Sequence, residues 1–160
     1  EGAANTFFQN LPFAKNKGEA LILRIPDLPN DYIFKKSQLL VPLPEKEMFW
    51  MGSSYEWNFD HLQPTREYYD QATTLLKSWL KCDYKVEDHK AGLRPATLER
   101  RPFVGLHPLY PSIGILNGMG TKGCSLSPFF ARQLTQHLLH NEPITPEADV
   151  QRFQKLLSRG

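Results

Sequence analysis

The run Ala20-Leu21-Ile22-Leu23-Arg24-Ile25 is short, apolar and flanked by Gly18 and Pro26, which predicts a strand. Asp27 to Asp31 holds Pro29 and Asn30 and has the chemistry of a turn. Tyr32 to Val41 predicts one strand or two, broken near Lys35-Lys36. Pro42 to Glu47 then serves as a hairpin loop, and Met48 to Tyr55 as the return strand. In that strand Gly52-Ser53-Ser54 follows a bulky aromatic run. Small residues there admit either a closely approaching backbone or ligand, or a bulge or bend.

The period changes after Pro64. Thr65 can N-cap a helix through its hydroxyl, and Tyr68, Ala72, Leu75, Leu76 and Trp79 recur at helical spacing. An amphipathic helix of about four turns is expected to pack on the sheet and to end at Lys81–Asp83. Tyr84 to His89 alternates like a strand. From Ala91 to Gly105 the chain is punctuated by Gly and Pro and predicts loop. Ile113 to Asn117 looks like a buried strand that runs into a glycine-rich turn. A helix follows, with Ser127 as a possible cap, Pro128 in its first turn, and Phe130, Leu134 and Leu138 on one face. A last short helix begins at Thr145-Pro146, with Val150, Phe153 and Leu157 inward.

Composition narrows the class. Ten Phe, six Tyr and three Trp in 160 residues exclude a disordered chain. No apolar run approaches the roughly 20 residues that span a bilayer. The formal net charge of +2 gives no electrostatic case for nucleic acid or an anionic membrane. Cys82 and Cys124 lie far apart, with no Cys/His cluster at metal spacing, so two reduced thiols in a cytoplasmic protein are expected and no metal site.

Two segments carry candidate chemistry. Gly118-Met119-Gly120-Thr121-Lys122-Gly123 matches G-x-G-x-x-G after a strand and before a helix. A dinucleotide unit needs a further strand and an acidic residue about 20 positions on. The segment after Gly123 reads instead as helix, turn and helix. What survives is the physics of such a turn: glycines admit a close ligand, and the helix N-terminus behind them offers N–H groups and partial positive charge. The second candidate is Arg94, whose fork of N–H groups suits a carboxylate. An isolated Arg between Gly92 and Pro95 is more commonly a surface or salt-bridge residue. His61, His89, His107, His137 and His140 show no catalytic partner pattern, and no serine sits in a nucleophile elbow. No catalytic side chain is expected.

Taken in order, several blocks resemble one family. They are Asn16-Lys17-Gly18-Glu19, Leu40-Val41-Pro42, Met51-Gly52-Ser53-Ser54, Ala91 to Thr97 (A-G-L-R-P-A-T), Arg101 to Gly105 (R-P-F-V-G), and Asn117 to Gly123 with Ser127-Pro128. The sequence is similar to the C-terminal half of D-amino-acid-oxidase-like flavoproteins such as glycine oxidase, sarcosine oxidase and D-amino-acid dehydrogenase. The resemblance implies an α+β fold: a mostly antiparallel substrate-domain sheet with a covering helix, plus the C-terminal strand and helix of a Rossmann-like FAD domain. It places the substrate domain at residues 1–98 and the FAD-domain part at 99–160. The family's N-terminal half, which carries the dinucleotide fingerprint, has no counterpart here. Glu1-Gly2-Ala3 looks like the strand end and glycine turn where the two domains meet, so the chain reads as a fragment of a longer enzyme.

The resemblance also assigns roles. Arg94 matches the arginine that binds the substrate carboxylate. Gly118, Met119, Gly120, Thr121, Lys122 and Gly123 match the turn that meets the flavin near its pyrimidine edge. Trp50, Ser53 and Leu39 fall around the substrate pocket. Leu39 stands where glycine oxidase has a tyrosine, and Thr121 near its arginine, which leaves room for a larger or more apolar amine than glycine. Cys124 does not fall where some relatives attach flavin, so non-covalent FAD is expected. The implied reaction is hydride transfer from the C–H beside nitrogen of an amino acid or amine to FAD. Alternatives are an oxidase domain acting on a tRNA side-chain amine, and a non-catalytic binding or assembly module. Alone, the chain is expected to be inactive, to hold little FAD, and to self-associate through Ile113–Leu116 and the helix around Phe129 and Phe130.

Overall fold

The computed structural model describes residues Thr6 to Ser158. The Glu1-Gly2-Ala3 segment lies outside them. The chain divides into two compact units, one of residues 16–93 and one of residues 1–15 with 94–160. The architecture is the expected α+β mixture, with a mostly antiparallel sheet and a covering helix.

The 16–93 unit is built on a five-stranded sheet. Its strands are β1 (Phe13–Arg24), β2 (Phe34–Lys35), β3 (Leu39–Pro42), β4 (Met48–Gly52) and β5 (Lys85–Thr97), in the order β2-β3-β4-β1-β5. The hairpin loop at Pro42–Glu47 forms as expected, setting Leu40 opposite Met51 and Pro42 opposite Phe49. Strand β1 lies antiparallel to β4, with Leu21 opposite Met51 and Leu23 opposite Phe49. Alternation therefore sends Leu21, Leu23, Leu40, Phe49 and Met51 into one buried cluster. Helix α1 (Arg66–Lys77) covers that cluster with Tyr68, Ala72 and Leu76. Thr65 caps it as expected, its hydroxyl accepting from the Tyr68 amide at 3.2 Å. The helix stops at Ser78, short of the expected end, and the Ser78 hydroxyl donates to the Leu75 carbonyl at 2.6 Å.

Strand β5 corrects the sequence reading. The expected loop from Ala91 is strand as far as Thr97, and Pro95 lies inside it. The position in the sheet explains this. As the last strand in the order, β5 has one edge without a strand partner, where a residue lacking an N–H is tolerated.

The other unit holds a two-stranded antiparallel pair, β6 (Phe103–Leu106) and β7 (Gly114–Asn117), with helices α2 (Gly123–His140) and α3 (Gln154–Leu157). Its apolar residues form two clusters. Phe103 joins Phe8, Leu11, Ile115, Val150 and Leu157 in one. The next residue, Val104, joins Phe130, Ile144 and Ala148 in the other. Both faces of β6 are thus buried, whereas β7 hides Ile115 and leaves Leu116 exposed. The start of α2 is a second correction. A 3-10 turn at Gly120–Lys122 feeds directly into the helix at Gly123, so Ser127 is no cap and Pro128 lies inside. Pro128 is its sixth residue, past the first turn, and leaves the Cys124 carbonyl without the usual amide donor. Of the expected apolar face, Phe130 is buried and Leu134 packs beside it, but Leu138 is exposed.

Candidate active site

In the 16–93 unit, the register places Leu39 opposite Gly52 and Val41 opposite Trp50. On the other side of β4, Ala20 lies opposite Gly52 and Ile22 opposite Trp50. Directly opposed residues share a face, so Leu39, Val41, Trp50, Gly52, Ala20 and Ile22 all lie on one side of the sheet. It is the side opposite the cluster that α1 covers. Leu39 is exposed there, and Trp50 is half-buried. Ser53 follows directly after β4, joined to Gly52 by a cis peptide bond. Two of the expected pocket residues, Leu39 and Trp50, are thus brought onto one apolar face, with Ser53 at the end of its central strand.

In the other unit, Arg94 stands half-buried on β5, followed on the same strand by Thr97. The Thr97 hydroxyl donates to the Arg101 carbonyl at 2.8 Å and accepts from the Arg101 amide at 3.0 Å. Its methyl group lies over Gly118: a Cβ built on that glycine would stand 2.6 Å from Thr97 Cγ2. Phe103 in turn pairs with Asn117. So the A-G-L-R-P-A-T block, the R-P-F-V-G block and the glycine turn, separate in sequence, meet around Gly118.

The turn has the backbone that its glycines permit. Gly118 has φ +79° and Gly120 φ +55°, both in the region that favours glycine, while Gly123 is ordinary helix. The space where a Cβ would stand on Gly120 is open. Helix α2 begins just beyond, with no side-chain cap and no acidic residue in its first turn. Thr121 and Lys122 are exposed, and Met119 is half-buried with its sulfur 2.9 Å from the Ser127 hydroxyl. The start of an 18-residue helix, wound on from the Gly120–Lys122 turn, thus stands beside an open glycine with no acidic residue in its first turn, an arrangement whose dipole favours negative charge.

The model of the DAO family, described as FAD dependent oxidoreductase, matches residues 2–137. The chain belongs to the DAO family of FAD-dependent oxidoreductases. Solved structures share its fold. A glycine oxidase from Bacillus cereus ATCC 14579 is 15% identical with a TM-score of 0.68, over 86% of this chain and 38% of its own. An iminodiacetate oxidase from Chelativorans sp. BNC1 is 20% identical, TM-score 0.69, over 86% and 40%. An L-amino acid deaminase from Proteus vulgaris is 13% identical, TM-score 0.67, over 89% and 37%. The chain thus spans about two fifths of the length of these DAO-fold proteins.

The residues present fit the cofactor that the DAO family uses. The open Cα of Gly120 and the uncapped start of α2 suit an electron-rich ring edge that gains negative charge on reduction. Among the described residues no group of three or more His, Cys, Asp or Glu could hold a metal ion, and no helix is long and apolar enough to cross a membrane. Cys82 and Cys124 are free thiols.

Sequence reasoning missed one constellation. Lys17 and Glu19 are both buried, on the α1 side of β1, with Lys17 Nζ 2.8 Å from Glu19 Oε1. The other oxygen of Glu19 accepts from the Thr65 amide at 2.7 Å and lies 2.8 Å from His89 Nε2. Ser54 accepts from the Glu19 amide at 2.9 Å and donates to Glu56, whose carboxylate is 3.6 Å from Lys17 Nζ. Burial pushes the Glu19 carboxyl up, but the Lys17 ammonium and the Thr65 amide outweigh it, and the net direction is down. The signal was the Lys-x-Glu spacing, which puts both charges on one face of a strand. This network ties the start of α1 to the sheet and lies on the face away from Leu39 and Trp50. An open groove of about 770 Å³ beside α1, lined by Tyr69, Cys82 and Tyr84 among others, holds none of the expected site residues.

Proposed function

We propose that this chain supplies the substrate-binding part and the flavin-edge turn of an enzyme that oxidises a C–N bond of an amino acid or related amine. When bound, non-covalent FAD supplies the two-electron acceptor for hydride from the carbon beside nitrogen. The single observation that carries the reading is the convergence around Gly118 of the arginine-bearing strand, the R-P-F-V-G strand and the turn at the head of α2.

In this reading Arg94 holds the substrate carboxylate, and its fork fixes orientation as well as affinity. The backbone from Gly118 through Met119, Gly120, Thr121 and Lys122 to Gly123 lies against the flavin ring. The Gly118 and Lys122 N–H groups are taken by Asn117 Oδ1 and the Met119 carbonyl, so the positive end of the α2 dipole is what meets the ring where it accumulates electrons. Leu39, Trp50 and Ser53 border the substrate side chain, and an apolar border suits an amine bulkier than glycine. Residues 16–93 act as the substrate-binding unit, within the expected 1–98, and residues 99–160 belong to the FAD-binding part. In this reading the dinucleotide end of FAD is held by residues other than those described, and the described residues alone are expected neither to turn over substrate nor to retain FAD. The free thiols support a cytoplasmic setting.

Arg94→Ala in the FAD-loaded enzyme tests the reading. Loss of a charge-assisted fork is expected to raise KM for amino-acid substrates roughly 10- to 100-fold. It should leave amines without a carboxylate unaffected. An unchanged KM for every amino acid would refute the role.

A further inference from the structure

We propose that Gly52 determines substrate preference by positioning Trp50; this rests on the reading that the open face of the 16–93 sheet meets the substrate. A Cβ built on Gly52 would stand 2.7 Å from Trp50 Cζ2, 2.9 Å from Trp50 Cη2 and 3.0 Å from Ala20 Cβ. The indole of Trp50 therefore lies down along its own strand, over the next residue but one. Its six-membered ring fills the notch that the missing side chain leaves between Ala20 and Leu39, the two residues opposite Gly52. Lying flat, the indole forms a floor with Leu39 and Val41 rather than a wall standing on the sheet.

Any side chain at position 52 must lift that ring, because heavy atoms closer than 3.0 Å cannot both stay in place. A raised indole narrows the space above Leu39. The ligand that gains from the flat state is an amino acid or amine with a bulky apolar side chain, which can lie across Leu39 and Trp50. A small amine neither needs nor uses this floor. Gly52 touches no substrate in this scheme; it is a positioning residue.

The experiment has two readouts. In the FAD-loaded enzyme, Gly52→Ala is expected to raise KM for phenylalanine about tenfold relative to glycine, with kcat changed less, a size typical of a lost apolar fit. In the same variant the indole N–H resonance of Trp50, identified by its absence in Trp50→Leu, is expected to move. In a Trp50→Leu background Gly52→Ala should no longer alter the KM ratio, because the clashing ring atoms are gone. Adding Ala20→Gly to Gly52→Ala removes the contact with Ala20 and keeps the test valid if the single variant folds poorly. An indole resonance that stays put, or a KM ratio that shifts just as much in the Trp50→Leu background, overturns the inference. If the resonance moves but neither Gly52→Ala nor Trp50→Leu changes any KM, the face does not meet substrate, and the inference falls with that reading.

Discussion

In the 16–93 unit one sheet face is sealed by α1, and Leu21, Leu23, Phe49, Met51, Ala72 and Leu76 meet in one cluster. Its only fully buried charges, among the described residues, are the adjacent Lys17 and Glu19. The other unit divides its apolar residues between two smaller clusters on opposite sides of β6, and α2 keeps large apolar side chains in the open. The first unit invests in a rigid platform, with its candidate substrate face on the side that α1 does not cover. The second invests in backbone: Gly118 and Gly120 hold conformations that few other residues adopt. In the proposed reading one unit offers side chains to the substrate and the other offers the flavin a glycine turn at the head of α2.

The largest expected effect tests the platform. Glu19→Ala leaves Lys17 buried without its nearest carboxylate and the Thr65 amide without its acceptor. Breaking a buried pair from one side is expected to cost about 3–5 kcal/mol, read as a fall in the midpoint of thermal or urea unfolding. The double variant Lys17→Met/Glu19→Leu removes both charges and should recover part of that loss. Equal destabilisation by the double would show that size, and not uncompensated charge, sets the cost. Acid provides the same test without mutation. Because the folded carboxyl sits below its ordinary value of 4.5, its contribution is complete above that pH and is lost as the pH falls through the lowered value. Glu19→Gln should flatten the acid limb of the stability curve relative to the natural sequence.

The glycine turn should respond unevenly. Gly118→Ala must place a methyl 2.6 Å from Thr97 Cγ2 at φ +79°, combining overpacking with backbone strain. About 2–4 kcal/mol is expected from the two together. Gly120→Ala meets open space at φ +55° and should cost only about 1 kcal/mol. In the FAD-loaded enzyme the order reverses if Gly120 lies against the ring: the mild variant should weaken FAD binding beyond its small stability loss, measured by flavin release on dilution. Equal stability costs for the two alanines would refute the packing of Thr97 on Gly118.

The sequence disclosed what depends on local pattern. The Thr65 cap and the hairpin at Pro42–Glu47 each rest on residues close in the chain, and each forms as expected. It misled where tertiary context decides. Pro95 reads as a strand breaker until β5 is known to be an edge, and Pro128 reads as a helix start until Gly120–Lys122 begins the winding earlier. The Lys17–Glu19 pair was hidden for the same reason. An i, i+2 pair of opposite charges looks like a solvated strand face, and only α1 lying over that face makes it internal. The blocks that revealed the family were legible as words, but why they travel together required seeing Thr97 on Gly118 and Phe103 beside Asn117.

The smallest expected effect on folding tests the exposed side of α2. Leu138 is 56% exposed and Leu139 68%, and Leu116 and Phe129 are also open, whereas Phe130, expected to share that surface, is buried. Side chains that are already in water contribute little to folding, so Leu138→Ser/Leu139→Ser should change stability by no more than about 0.5 kcal/mol. The same substitution should reduce self-association of the chain, because apolar side chains clustered in the open are covered by whatever apolar surface is nearest. Light scattering across a concentration series separates the two effects. A chain that is monomeric before substitution would show that α2 needs no cover, and would remove the contrast with the sealed sheet of the 16–93 unit. Association that persists undiminished in the variant would move the sticky surface elsewhere, with Leu116 and Phe129 the next residues to change.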